Sequence, residues 1–368
     1  MKLSVRTVIC VLASLVVLIC FSSVYGHRVS ADSTIVESGS LWNCDWELDA
    51  DGNLYVICKA NTLGLGYLIS NVQNEVKMVS FGDNIIHQEI MDYTDRCENG
   101  NYGFLYEPFV KEVKDADIAT FGAETVLVDK KSAIGGYPSF GTPLEVGEAL
   151  ADAGFDVAVC GNNHALDRGI YGIDVTVSFY EENGIKAIGV QKSTDEEEKP
   201  YEILSRNGLK FALFSYTYGT NGMDASSKYP FAVHYLPVKG NDREKALEDF
   251  SAAREEADFV IVFTHWGDEY AKEITDEQEE MAEFFADAGA DVIIGSHPHV
   301  VQKVDEITSS DGKKTIVFYS LGNFRAFQGK NVDTKKGAEA VVQFEHCYDG
   351  VRIKGYEMKD VDAFVEVR

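Results

Sequence analysis

Basic residues are scarce in this chain: 33 Lys and Arg stand against 60 Asp and Glu, a formal net charge of -27. Such a surface repels DNA, RNA and anionic lipid faces, so no nucleic-acid partner is expected. It also repels a polyanionic substrate, unless metal ions or a local basic patch reverse the field. No Cys-x-x-Cys occurs among the seven cysteines, which argues against a structural zinc knot and a thioredoxin-type centre. Histidine is sparse too, at eight, yet His297 and His299 stand one residue apart, just past an apolar run. What is plentiful is apolar material, 45% of the chain, enough for folded cores rather than disorder.

The N-terminus carries Lys2 and Arg6, then an apolar stretch over 7–19 broken only by Ser14, then Ser22, Ser23 and Gly26. This reads as a secretory signal or membrane anchor over 1–27, which places the protein outside the cell or at its surface. The apolar stretch is short for a span. Cys20 invites a lipoprotein reading, but Ile19 before it is larger than such sites usually accept. Residues 28–74 form a small strand-rich segment, in which Cys44 and Cys58 flank a hairpin with an Asp-Gly turn and are expected within disulfide reach. The main domain is expected over 75–368. There, apolar strands (VKMVSFGD, FDVAVC, ADFVIVFTH, ADVIIGS) alternate with helical patterns (VGEALADAG, YGIDVTVSFYEENG, TDEQEEMAEFFADAG). Alternation of this kind gives an α/β architecture with covered sheets.

The polar residues that follow those strands carry the functional signal. Asp83 ends the first strand, and Glu124 follows the next. Asn162, Asn163 and His164 follow FDVAVCG, His265 ends FVIVFTH, and His297 and His299 follow DVIIGS. Sheets of this class place functional groups beyond the C-terminal strand edges, so one rim can collect two carboxylates, an amide and four imidazoles. Zinc, manganese and iron accept such nitrogen and oxygen donors, and one or two divalent ions are expected. Alternate residues of an extended segment point the same way, so His297 and His299 can face one centre with Pro298 stiffening the link. Each residue has a plainer reading alone: a hydrogen-bonded histidine, a helix cap at Asp83, a turn at Asn163. Their recurrence at successive strand ends favours the joint one. Cys160, ending one of these strands, reads as a buried filler.

The segments FGD (81–83), ADIATFGAET (116–125), GNNHALDRG (161–169), THWGDEY (264–270), GSHPHVVQ (295–302) and YSLGNF (319–324), in this order, resemble the bacterial capsule-synthesis proteins of the CapA, or poly-gamma-glutamate biosynthesis, type. That resemblance implies a calcineurin-like metallophosphoesterase fold, a sandwich of two central mixed β-sheets flanked by helices (α/β/β/α). It implies Asp83 and His299 as ligands of a first metal, His265 and His297 of a second with Asn163 as amide ligand, and Glu124 as the bridge. His164 then acts on the substrate. Two departures stand out. The superfamily's histidine two residues after the aspartate is Ile85 here, and His87 is too far along to take its place. The Asn that often stands two residues before the glutamate is Gly122.

Asp167 either orients His164 or caps the helix that follows. Arg168 and Arg325, with Asn162, are candidates for substrate contact, the arginines being equally readable as salt-bridge residues. The resemblance implies a role in making, exporting or anchoring an anionic polymer, beside membrane-bound synthesis and export machinery. Three functions remain open: a metal-dependent hydrolase or transferase on a phosphoester or amide, a non-catalytic assembly or tethering protein, and an extracellular phosphodiesterase or nucleotidase.

Overall fold

The computed structural model describes residues 75–238, 240–347 and 350–367, together with the backbone of three N-terminal strands. Those strands, β1 (Ile35–Leu41), β2 (Cys44–Asp49) and β3 (Leu54–Cys58), form one antiparallel sheet. Cys44 and Cys58 are register partners in it, but their side chains, like the 1–27 leader, lie outside the described residues. The chain divides into two compact units, one holding these strands and Glu345–Arg352, the other Val76–Phe344 and Ile353–Arg368.

In chain order the strands continue as β4 (Glu75–Asn84), β5 (Ile118–Ala123), β6 (Leu127–Val128), β7 (Thr142–Pro143), β8 (Val157–Val159), β9 (Lys186–Ile188), β10 (Glu202–Arg206) and β11 (Leu209–Thr217). There follow β12 (Phe259–His265), β13 (Val292–Ser296), β14 (Val304–Thr308), β15 (Lys314–Phe318), β16 (Asn323–Arg325), β17 (Lys336–Cys347) and β18 (Gly350–Asp362). The helices are α1 (Gln88–Cys97), α2 (Val110–Asp115), α3 (Leu144–Ala153), α4 (Gly169–Glu182), α5 (Asn241–Glu256) and α6 (Asp276–Ala288).

Two mixed sheets organise the large unit. The first runs β18-β17-β4-β5-β8-β9, with β16 also paired to β4. The second runs β10-β11-β12-β13-β15-β14. Strands β4, β5, β8 and β9 are parallel, as are β11, β12, β13 and β15. Parallel central strands must be covered on both faces, which is why FVIVFTH is buried at every position. Outside the second sheet lie α5 and α6, which bury Phe250, Ala253, Met281 and Phe285 against it. Outside the first, α1, α3 and α4 bury Ile90, Leu150 and Tyr180. The sheets meet where Phe344 of β17 packs on Phe211 and Phe259, with ring centroids 4.9 and 4.6 Å apart. The layers are therefore helix, sheet, sheet, helix. Local signals agree with this order: Gly154 (φ 100) and Gly289 (φ 104) stop α3 and α6, and a Thr275–Gln278 capping box starts α6. Helix α1 and the short β10 and β14 edge strands have no counterpart in the sequence reading. Among the described residues no helix is long and apolar enough to cross a membrane.

Candidate metal centre

Because β4, β5 and β8 are parallel neighbours, their C-terminal ends open on one edge, and the same holds for β12 and β13. Asp83 leaves β4, Glu124 follows β5, and Asn163 and His164 follow β8; His265 ends β12, while His297 and His299 follow β13. All seven are buried. His265 Nε2 lies 2.9 Å from Asn163 Oδ1 and 3.7 Å from Glu124 Oε1. His299 Nε2 is 3.7 Å from the same Glu124 oxygen, and its Nδ1 lies 3.3 Å from Asp83 Oδ2 without hydrogen-bond alignment. The His297 N–H donates to Asp83 Oδ2 at 3.0 Å, clasping one sheet's histidine loop to the other sheet's carboxylate. Residues scattered over the chain thus meet at one cleft.

The histidine pair converges by a route other than an extended segment. His297 has φ 97 and His299 φ 58, so both sit in the left-handed region. Non-glycine residues hold that region only where their surroundings over-determine it. Here the Asp83 carboxylate takes the His297 N–H, and Gly295 just upstream is compressed: a Cβ there would stand 2.1 Å from the Tyr319 carbonyl and 2.5 Å from the Trp266 indole nitrogen. Two left-handed residues, not the alternation of an extended segment, bring the rings together.

Four buried polar atoms of this cluster have no hydrogen-bond partner among the described residues: Asp83 Oδ1, Glu124 Oε2, His297 Nδ1 and His299 Nδ1. Each such orphan costs about 1–3 kcal/mol, so their concentration needs a common partner. Glu124, His297 and His299 each offer a ligand atom within 4.8 Å of the others. Carboxylate oxygen and imidazole nitrogen are the donor set of zinc, manganese or iron, and the cluster fits a divalent cation. Electrostatics agrees. Burial, then the Asp83 charge, pushes the Glu124 carboxyl well above its usual range. Burial and the neighbouring imidazoles hold His297 down to about 3 and keep His265 well below the usual imidazole range. Burial pulls His299 down as well, yet Glu124 and Asp83 outweigh it and carry the ring up to about 9. The Glu124 carboxyl and the His299 ring are thus driven toward their protonated forms, and the His265 and His297 rings toward their neutral ones.

The remaining expected residues divide. Asp167 Oδ2 takes the His164 Nδ1 contact at 2.7 Å and the Phe140 N–H at 2.6 Å, and no side chain caps α4, so Asp167 orients His164. Asn162 is committed to backbone: its amide donates to the Ala123 and Cys160 carbonyls, and its oxygen accepts from His164 N–H. Arg168 is tied to the loop at 133–139, bonding the Ala133 carbonyl and the Ser139 hydroxyl and carbonyl, as well as the Asp167 carbonyl. Arg325 is buried, with Nη1 on the Asp362 carbonyl and its guanidinium over Phe109. Neither arginine is placed among the metal-site side chains. Ile85, two residues after Asp83, packs on Phe140 and Ala326. Cys160 is a buried free thiol, and burial raises it to about 12.

Three participants escaped the sequence reading. Asn221 bonds the Asn163 amide at 3.4 Å and approaches His164 Nδ1 at 3.5 Å; Asn-Gly advertised only a turn. Ser296 Oγ holds His265 Nδ1 at 2.9 Å, and Phe140 sets its ring edge-on to His164 at 4.8 Å. Nothing in their local sequence marked either.

The family model for the bacterial capsule synthesis protein PGA_cap matches residues 77–328, which include every residue of the cluster. The chain belongs to this bacterial capsule synthesis family. It is 33% identical over 204 residues to the PGA biosynthesis protein CapA of Bacillus subtilis (strain 168), covering 55% of this chain and 50% of that protein. It is 29% identical over 294 residues to the capsule biosynthesis protein CapA of Bacillus anthracis, covering 77% and 67%. The match thus spans half to two thirds of the length of these relatives. Among solved structures it is similar to the calcineurin-like phosphoesterase YfkN of Bacillus subtilis, with TM-score 0.43 and 14% identity over 79% of this chain and 91% of that one. In this capsule-family chain the described centre is a candidate metal site consistent with hydrolase chemistry.

Proposed function

We propose that this protein is a metal-dependent hydrolase or transferase acting on a phosphoester or amide bond in the making of an anionic capsule-type polymer at the cell envelope. The observation that carries the reading is the buried quartet of unpartnered atoms on Asp83, Glu124, His297 and His299, beside an oriented His164. Asp83, Glu124, His297 and His299, with Asn163 and His265, would hold one or two cations. A divalent metal there supplies positive charge for a phosphoryl or carbonyl oxygen and activates water at neutral pH. The chain's own residues do the rest. His164 has its Nδ1 engaged by Asp167, which leaves Nε2 to take up a proton from water and give it to the leaving group. Asp167 and Phe140 fix the ring, so the proton is delivered without reorganisation. The acidic surface cannot attract a polyanion, so the cation must supply local attraction. A role with membrane-bound synthesis or export machinery accords with the basic and apolar N-terminal leader.

One observation favours a second reading, a non-catalytic assembly or anchoring protein. Ile85 and its apolar neighbours fill the place of one metal ligand. The two readings part on one experiment. The full chain, loaded with manganese or zinc, is assayed on phosphodiester, phosphomonoester and gamma-glutamyl amide substrates, alongside His297→Ala and Asn163→Ala. Turnover on one class, lost in both variants, supports the enzyme; bound metal with no turnover on any class supports the assembly role.

A further inference from the structure

Two tyrosines beside the centre are 48% exposed, Tyr218 and Tyr270, yet neither is loosely held. The Tyr218 N–H donates to the His265 carbonyl at 3.0 Å, and the Tyr270 N–H to the Pro298 carbonyl at 2.8 Å. Their backbones are thereby fixed to the segments that carry the imidazoles. The Tyr218 ring lies 4.6 Å from His297 and the Tyr270 ring 6.0 Å from His299, two imidazoles themselves 6.0 Å apart. Tyr270 also has φ 67, a conformation that costs a bulky residue about 1–3 kcal/mol and persists where surroundings enforce it. The enforcement is visible: buried Gln302 donates to the Ala271 and Glu273 carbonyls at 2.9 and 3.2 Å, and buried Gln278 donates to Gln302 at 2.9 Å. The fold holds an aromatic face open at the mouth, where burial would ordinarily be preferred.

Beside these two rings the charge comes from a carboxylate. Glu269 precedes Tyr270, and after burial its carboxylate is the largest influence raising the Tyr270 phenol. It reaches Tyr218, His299 and Glu124 as well. No lysine or arginine pairs with Glu269 among the described residues. Lys272 is held by Asp333 at 2.8 Å, and Arg168 by its own loop. Aromatic faces beside an unneutralised carboxylate complement a cation. An anion beside Glu269 would meet a carboxylate with no lysine or arginine to offset it, and a neutral ring would bury part of that carboxylate unpaired.

We propose that the mouth of the centre binds an organic ammonium group, held by the faces of Tyr218 and Tyr270 and the carboxylate of Glu269. This rests on the hydrolase or transferase reading for its place in a substrate, with the ammonium on the portion flanking the bond that breaks. The test compares choline phosphate with its uncharged isostere 3,3-dimethylbutyl phosphate on the manganese-loaded full chain. The expected kcat/KM ratio favours the cationic ester by about 5-fold or more. It falls toward unity in Glu269→Gln and in Tyr218→Leu. Equal turnover of the two esters overturns the proposal. If neither ester turns over, calorimetric titration with tetramethylammonium chloride against a sodium chloride control decides it: saturable binding that Glu269→Gln abolishes upholds the proposal, and its absence sinks it. Failure of catalysis and failure of cation recognition are then read separately.

Discussion

The two sheets bring different chemistry to the same cleft. The sheet containing β4, β5 and β8 supplies the oxygens: Asp83, Glu124 and the Asn163 amide. The sheet containing β12 and β13 supplies the nitrogens: His265, His297 and His299. Neither set is a metal site by itself. Carboxylates alone would repel one another in the interior, and buried imidazoles alone would simply stay neutral. Phe344, Phe211 and Phe259 hold the sheets face to face, and the His297 N–H closes on Asp83 where the strand ends meet. Division of labour between sheets makes metal binding a report on sandwich assembly.

The largest effect should come from removing one donor on either side. Glu124→Gln and His297→Ala should each weaken manganese or zinc binding by about 100-fold or more, since the site needs both donor types. Binding of the metal to each variant, followed by calorimetry, checks this. The same Glu124→Gln chain, without metal, should unfold at no lower urea concentration than the parent, because burial and Asp83 already oppose a charge at that position. A metal-free variant much less stable than the parent would mean that Glu124 serves structure instead.

The junction can be broken without touching a ligand. A Cβ at Gly82 would stand 1.9 Å from the Gly322 carbonyl, where backbone must move. Gly82→Ala should cost roughly 3 kcal/mol and displace Asp83, lowering denaturant midpoint and metal affinity together. A smaller and more local effect is expected on the oxygen side at Asp167. Asp167→Asn should lower turnover about 10-fold to 100-fold with metal content unchanged, since it releases His164 and Phe140 but no metal-site contact. Equal losses of metal and turnover would contradict that separation.

How far the sequence foretold this difference depends on the residue. Asp83, Glu124, Asn163 and His265 end or follow apolar strands, and a strand run followed by a polar residue is a pattern that survives without structure. Asp167 could be named but not assigned, because capping and orienting require the same residue three places after His164. The left-handed turns at His297 and His299 were illegible: a His-Pro-His triplet does not reveal which carboxylate will take a backbone N–H from 214 residues away. Asn221 and Phe140 were invisible for the same reason, since their roles come from loops that fold over the strand ends. The arginines stayed open between two roles, because a guanidinium near a motif in sequence can be spoken for by local carbonyls, as Arg168 is.

The smallest expected effect is a pH dependence of the metal-free chain. Burial holds His87 and His234 down to about 4 and His297 to about 3. The unfolded chain therefore takes up more protons below the ordinary imidazole value, and stability should fall as pH drops from about 6.5 toward 3. His299 has the opposite sign. Its pKa is raised to about 9, so its contribution is present below about 6.5 and is lost as pH rises through 9. Urea midpoints across pH with a chelator should decline on both sides, and added manganese should remove the alkaline decline. An alkaline decline unchanged by metal would detach His299 from the site.

The most direct measurement is metal content after dialysis of the full chain and of two single variants, Asp83→Ala from one sheet and His297→Ala from the other. About one or two ions are expected per parent chain and little in either variant. A parent chain that emerges metal-free from excess zinc or manganese, or variants that keep their full complement, would contradict that expectation.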